Sequence, residues 1–160
     1  MSRLRIMAVA SGGGHWIQLL RVSPAWEGLD CAYVSTRPGM ERHLSIKSET
    51  APRFYVVSDG NRSRKARLAR QLMEVGWIVL RERPTVVVTT GASVGFFALA
   101  FAKFIGSRTV WLDSVANADE LSLSGRRARR FADLWLTQWP ELAKREAGRA
   151  GGPSYRGAVL

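Results

Sequence analysis

A mostly apolar run, Leu4-Arg5-Ile6-Met7-Ala8-Val9-Ala10, breaks directly into Ser11-Gly12-Gly13-Gly14-His15. Trp16-Ile17-Gln18-Leu19-Leu20 follows in a pattern that suits a helix. A short apolar run ended by glycines predicts a buried first strand entering a tight turn. The glycines let the backbone pass close to a ligand, and a helix start presents unpaired N–H groups at its positive dipole end. Ser11, Gly12, Gly13 and Gly14 thus form a candidate seat for a phosphate or diphosphate, and His15 adds a group that can move a proton. The pattern is not a P-loop, because no Gly-Lys-Ser/Thr follows. It half-matches a dinucleotide fingerprint: Gly12 and Gly14 fit, but Ile17 stands where the third glycine belongs. No acid ends the second strand to hold a ribose, which leaves Arg37 to hold the 2′-phosphate of NADP in an oxidoreductase reading. A turn that serves no ligand is the third reading.

Beyond the corner, strands alternate with helices, which predicts an α/β domain: a Rossmann-like, mostly parallel sheet with helices on both faces. Strands are expected near residues 4–10, 31–35, 53–57, 85–90, 108–112 and 133–137. Helices are expected near 14–22, 63–81, 93–105 and 139–147. Residues 1–147 read as one domain and 148–160 as a glycine-rich tail. In such sheets ligands bind outside the carboxyl ends of the strands. That rim would gather the glycine corner, Thr89-Thr90-Gly91-Ala92-Ser93 with Ser93 as an N-cap, Asp113 to Asn117, Leu121 to Arg127, and Gln138-Trp139-Pro140-Glu141.

Lys and Arg number 24 against 13 Asp and Glu, a net charge of +11. Basic surfaces of this kind meet nucleic acid, anionic lipid or anionic substrates. No RNP-like strand, zinc spacing or helix-turn-helix signature accompanies the charge, so no nucleic acid is expected. The single cysteine, Cys31, falls in a strand and reads as a small core residue in a reducing compartment. His15 and His43 have no cysteine or carboxylate at ligand spacing, so no metal is expected. No signal peptide is expected, since the chain enters its first strand almost at once. The apolar stretch from Gly91 to Phe104 is too short to span a bilayer. The helix opening Asn61-Arg62-Ser63-Arg64-Lys65-Ala66-Arg67 is densely basic, and its second half is apolar and carries Trp77. Arg64, Lys65, Arg67 and Trp77 read as an anionic-lipid surface. Against this stands a stripe of Leu68, Leu72, Val75 and Val79 facing the sheet. The helix with Phe96, Phe97, Phe101 and Phe104 reads as core.

Ser11-Gly12-Gly13-Gly14-His15, Thr89-Thr90-Gly91-Ala92-Ser93, Ser122-Leu123-Ser124-Gly125, Ala132-Asp133-Leu134 and Gln138-Trp139-Pro140-Glu141 occur in order across nearly the whole chain. Together they resemble the acceptor-binding, membrane-associating subunit of two-chain GT-B glycosyltransferases. Its eukaryotic form anchors the dolichol-linked N-acetylglucosaminyltransferase, and its bacterial forms (PssD or CpsF type) act in exopolysaccharide and capsule assembly. The glycine loop alone also resembles that of MurG. The N-terminal membrane anchor of the eukaryotic relatives is not expected here, Trp16 stands where leucine is usual, and Asp113 stands where many relatives have glutamate.

The resemblance implies the N-terminal half of a GT-B transferase. A separate donor-binding subunit would carry the nucleotide sugar, a UDP-sugar, so this chain needs no cofactor of its own. The acceptor would be a polyprenyl-diphosphate sugar at the cytoplasmic face of the inner membrane, where this chain sits peripherally. His15 is the implied general base, with Asp113 its rival or an orienting group. Gly91, Ser93, Ser124 and Gly125 would shape the acceptor cleft, and Arg126, with Arg127, would attract the diphosphate. Trp139, Glu141 and Tyr155 would face the partner. A non-catalytic membrane scaffold that recruits a catalytic partner remains as a further reading.

Overall fold

The computed structural model describes residues 4–44, 51–60, 63–148 and 151–159. Asn61 and Arg62 of the basic stretch, Arg149 and Ala150 of the tail, and Leu160 lie outside the described residues.

Among the described residues, seven strands form one sheet: β1 (Arg5–Ala10), β2 (Asp30–Ser35), β3 (Arg53–Val56), β4 (Val86–Thr89), β5 (Arg108–Leu112), β6 (Leu134–Thr137) and β7 (Ser154–Tyr155). All neighbours are parallel, in the order β3-β2-β1-β4-β5-β6-β7. Among the same residues, the α-helices between them are α1 (Gly14–Val22), α2 (Lys65–Glu82), α3 (Ala92–Phe104), α4 (Leu123–Ala128) and α5 (Pro140–Glu146). The fold is the Rossmann-like α/β sheet that the alternation predicts. Chain direction across the sheet reverses between β1 and β4, the switch point at which such folds leave a crevice.

Side-chain alternation along each strand divides the core into two layers. Met7, Val9, Val34, Val87 and Trp111 face α2 and α3, and they pack with Val75, Val79, Val94 and Leu99. Ile6, Ala8, Ala10, Cys31, Tyr33 and Val88 face the other way, onto Trp16 and Leu19 of α1. Trp16 is fully buried and meets the edges of Tyr33 and Phe54 at ring distances of 6.0 and 5.8 Å. Burial of so large a ring anchors α1, and with it the corner residue ahead of it, to the sheet.

Some expectations change on contact with the fold. Ser93 does not cap α3: Gly91 is the N-cap residue, and the Ser93 hydroxyl lies 2.9 Å from the Gly60 carbonyl and 2.7 Å from Gln71 Oε1. Phe104 is not core but 83% exposed, beyond the last turn that touches the sheet. Within the expected inner stripe of α2, Val75 and Val79 are buried while Leu72 is exposed. Cys31 is buried as expected, and burial followed by the charge of Asp30 pushes its thiol up to about 11.

Candidate functional site

The first crossover places Ser11 to His15 on the carboxyl rim of the sheet, beside the second glycine corner after β4. These corners are tied to each other across the switch point. His15 Nδ1 lies 2.9 Å from the Thr90 carbonyl, and the Thr90 hydroxyl donates to the His15 carbonyl at 2.6 Å. A carbonyl only accepts, so Nδ1 carries the proton in that contact. In the neutral ring Nε2 is then left as the acceptor. Thr90 is buried, so the anchor is rigid, while the imidazole itself is half-exposed.

Gly91 completes this arrangement. Its φ is +132°, and a Cβ there would stand 2.8 Å from His15 Cε1 and 3.0 Å from Nδ1. The ring therefore rests against bare backbone.

Around the first corner, the Gly12 N–H is already engaged by Thr36 Oγ1 at 3.0 Å. The groups left to meet an anion are those at the start of α1, where no side chain caps Gly13 and both Gly13 and Gly14 are exposed. Arg37 lies across Gly12: a Cβ on that glycine would be 2.5 Å from Arg37 Cδ. The aliphatic stem covers the turn and holds an exposed guanidinium at its edge.

Asp113 sits at the end of β5 with both carboxylate oxygens hydrogen-bonded. It is 1% exposed. Oδ1 accepts from the Trp111 indole (3.2 Å) and the Ser122 hydroxyl (2.6 Å), and Oδ2 accepts from the Ser122 N–H (3.0 Å). Ser122 Oγ in turn accepts from the Gly125 N–H at 2.9 Å and caps α4. A Cβ on Gly125 would meet Asp113 Oδ1 and Ser122 Oγ, each at 2.7 Å. The carboxylate thus ties the Ser-Leu-Ser-Gly turn to β5 and is closed to solvent. Among the two candidate bases, only His15 faces the rim.

A cleft of about 480 Å³ opens beside this corner, lined by Gly60, Leu68, Ala92, Ser93, Phe96, Phe97, Ser124 and Arg127. Arg127, not Arg126, faces it. Arg126 pairs instead with Glu120 at 3.0 Å on the exposed surface. The alternation of neighbouring side chains around a helix carried that choice, and sequence alone had no signal for where Glu120 lies.

Behind the rim runs a buried amide network. Gln138 Nε2 donates to Gln18 Oε1 (2.8 Å) and to the Asp113 carbonyl (2.9 Å). Gln18 Nε2 donates to Ser114 Oγ (3.1 Å), and its Oε1 accepts from the Val115 N–H (3.2 Å). The Val159 N–H reaches Gln138 Oε1 at 3.0 Å, and Arg21 on α1 donates to the Val159 carbonyl. Of the expected partner-facing residues, Trp139 is half-buried with its indole donating to Val115 O at 2.8 Å. Glu141 is exposed beside Lys144, and Tyr155 is 43% exposed on edge strand β7.

On the outer face of α2, Ala66, Ala69, Met73, Trp77 and Leu80 recur at helical spacing and all are exposed, Met73 by 75% and Trp77 by 57%. Arg81 lies over the Trp77 ring at 5.2 Å, and Arg64, Lys65 and Arg67 are exposed at the start of the helix. Among the described residues no helix is long and apolar enough to cross a membrane. Nor, among them, do three or more His, Cys, Asp or Glu gather as metal ligands.

With this geometry in hand, known proteins sharpen the picture. The family description "Oligosaccharide biosynthesis protein Alg14 like" matches residues 47–152. The UDP-N-acetylglucosamine transferase subunit ALG14 of Yarrowia lipolytica is 26% identical over 167 residues, covering 90% of this chain and 77% of that protein. Its counterpart in Eremothecium gossypii is 35% identical over 110 residues, covering 65% of this chain and 46% of that one. Among solved structures, Acinetobacter baumannii MurG superposes with a TM-score of 0.66 at 17% identity, over 86% of this chain and 42% of MurG. A putative UDP-N-acetylglucosamine 2-epimerase from Listeria monocytogenes gives 0.71 at 12% identity, over 96% and 44%. The chain thus spans less than half the length of these solved proteins, and the likeness to them is one of fold.

Proposed function

This chain belongs to the Alg14-like family of oligosaccharide biosynthesis proteins, and on that footing we propose that it is the acceptor-binding subunit of a lipid-directed glycosyltransferase. The donor, UDP-N-acetylglucosamine by analogy with the named relatives, is bound by a separate subunit, so this chain carries no cofactor. The acceptor is a polyprenyl-diphosphate sugar. In a bacterial setting that lipid serves exopolysaccharide or capsule assembly, on the cytoplasmic face of the inner membrane. The family match speaks against the NADP alternative.

In this reading the open N–H groups at the start of α1 and the positive end of its dipole hold the diphosphate. The acceptor hydroxyl hydrogen-bonds to His15 Nε2. As its oxygen attacks the anomeric carbon of the donor, the proton passes to Nε2 and the bond to UDP breaks, which inverts the configuration at that carbon. The observation that carries this reading is the reciprocal His15–Thr90 bond, which fixes the tautomer with Nε2 free. The exposed stripe on α2, opened by Arg64, Lys65 and Arg67, supports peripheral attachment to an anionic bilayer. Gln138-Trp139-Pro140-Glu141 and Tyr155 are the proposed partner contacts.

The test is co-expression with a donor-binding GT-B C-terminal half, followed by transfer of radiolabelled sugar from UDP-N-acetylglucosamine to a lipid extract. Labelled lipid from the pair and none from either chain alone is the expected result. Transfer by this chain alone, or none by a well-formed pair, overturns the reading.

A further inference from the structure

The cleft beside the His15 corner has a composition that an anion alone does not need. Leu68 of α2 with Ala92, Phe96 and Phe97 of α3 makes an apolar floor, and Ser124 and Arg127 of α4 form a polar lip. At about 480 Å³ it lies within the roughly 300–1,000 Å³ typical of small-molecule sites, which combine apolar walls with a few placed polar groups. Its wall adjoins the His15 corner along the chain: Ala92 directly follows Gly91, whose backbone rests on the His15 ring. Arg127 is exposed at the lip, whereas its neighbour Arg126 is held by Glu120.

From this we infer that the cleft is a prenyl subsite: it takes the first isoprene units of the acceptor lipid, while Arg127 meets the diphosphate to which they are joined. The inference takes the lipid-diphosphate acceptor from the reading above and assigns its chain a place. The order of groups in such a lipid is sugar, diphosphate, then branched hydrocarbon. The rim and the cleft together carry His15 and the start of α1, Arg127, and Leu68, Phe96 and Phe97. Chemistry matches at each step: a base for the hydroxyl, amides and a guanidinium for the anion, and aliphatic and aromatic surface for the chain. Leu68 also lies on α2, the helix whose outer face carries the exposed Met73, Trp77 and Leu80.

The test is calorimetric titration of the full chain with farnesyl diphosphate and, separately, with inorganic diphosphate. Burying even two methylene equivalents favours the prenyl ligand by about tenfold, so farnesyl diphosphate is expected to bind at least that much tighter. Leu68→Trp, which fills the floor, is expected to bring it back to the affinity of inorganic diphosphate without changing the latter. Arg127→Ala, a surface change that leaves the core intact, is expected to weaken both ligands by a similar factor. Equal binding of the two ligands by the unaltered chain overturns the subsite, as does a prenyl preference that survives Leu68→Trp in a folded protein. A preference lost in Trp77→Ser and kept in Leu68→Trp puts the chain on the α2 stripe and likewise overturns it. These outcomes are separate from those of sugar transfer: an active pair whose acceptor-side chain shows no prenyl preference removes the subsite and leaves the transferase reading standing.

Discussion

At the scale of single residues, one imidazole and one carboxylate divide the work. His15 is half-exposed with one ring nitrogen committed and the other free, while Asp113 is buried with every contact internal. In Asp113→Asn, an NH₂ group would face the Trp111, Ser122 hydroxyl or Ser122 amide donor. An unmatched buried donor costs about 1–3 kcal/mol. Urea unfolding should show that loss, and any fall in transfer should follow the fraction folded. Intact stability with lost transfer would instead make Asp113 a catalytic group. Gly91→Ala should cost about 1–3 kcal/mol from backbone strain and displace the imidazole, lowering both the unfolding midpoint and the transfer rate. The glycine corner and its histidine are legible in sequence because their chemistry is local. The occupation of Asp113 is not, since its partners Trp111 and Ser122 converge only when α4 folds back beside β5. The choice between Arg126 and Arg127 is hidden for the same reason.

At the scale of elements, hydrophobic periodicity finds the long ones. β1, β2, β5 and α1 to α3 fall within two residues of their expected limits, and the helical start of α1 at Gly14 is as the glycine turn implies. Six-residue α4 and two-residue β7 are too short to show a period, and they owe their existence to the Ser122 cap and to pairing with β6. Asp133 shows how such pieces are held. Its carboxylate accepts from Lys103 at the end of α3 and from both the Thr109 N–H (2.9 Å) and hydroxyl (3.0 Å) on β5. The Lys103 hydrogen bond, opposed by burial and aided by the Thr109 donors, holds its carboxyl below the ordinary carboxylate value. A depressed folded value means the stabilisation is fully present above the unfolded value of about 3.9 and is lost as pH falls through the folded one. Asp133→Asn should therefore lower the thermal midpoint at pH 7, and the gap from the parent should narrow as pH falls below that range. The α2 stripe makes its own claim: Met73→Ser with Trp77→Ser should abolish co-sedimentation with anionic vesicles at unchanged thermal stability. Replacing Arg64, Lys65 and Arg67 with glutamine should weaken it by about 1 kcal/mol per charge, more at low salt.

At the scale of the whole molecule, the sheet acts as a frame that brings distant segments to one rim. Val159 meets Gln138, Gln138 meets Gln18, and Gln18 lies one turn beyond His15 on α1. The outer end of the described chain is thereby coupled to the helix that carries His15. Gln138→Leu leaves the Val159 N–H and the Gln18 carbonyl oxygen without that partner, and it should loosen α1, seen as faster amide exchange there. None of this network is legible in sequence, because its links run from 21 to 138 positions apart and meet only in the folded sheet. The α/β class is legible, because alternating strands and helices admit few other arrangements. The basic charge is legible as a surface property only, and its division between internal pairs such as Arg53–Glu82 and open surface depends on the fold.

In the proposed reaction this chain supplies the base, and the donor arrives on another subunit. The most direct measurement is the transfer rate of the assembled pair with His15→Ala, at saturating UDP-sugar and acceptor, alongside its thermal midpoint and subunit association. The account predicts a fall of about 10²- to 10⁴-fold with folding and pairing unchanged. A pair that transfers at the parental rate without that imidazole would contradict it.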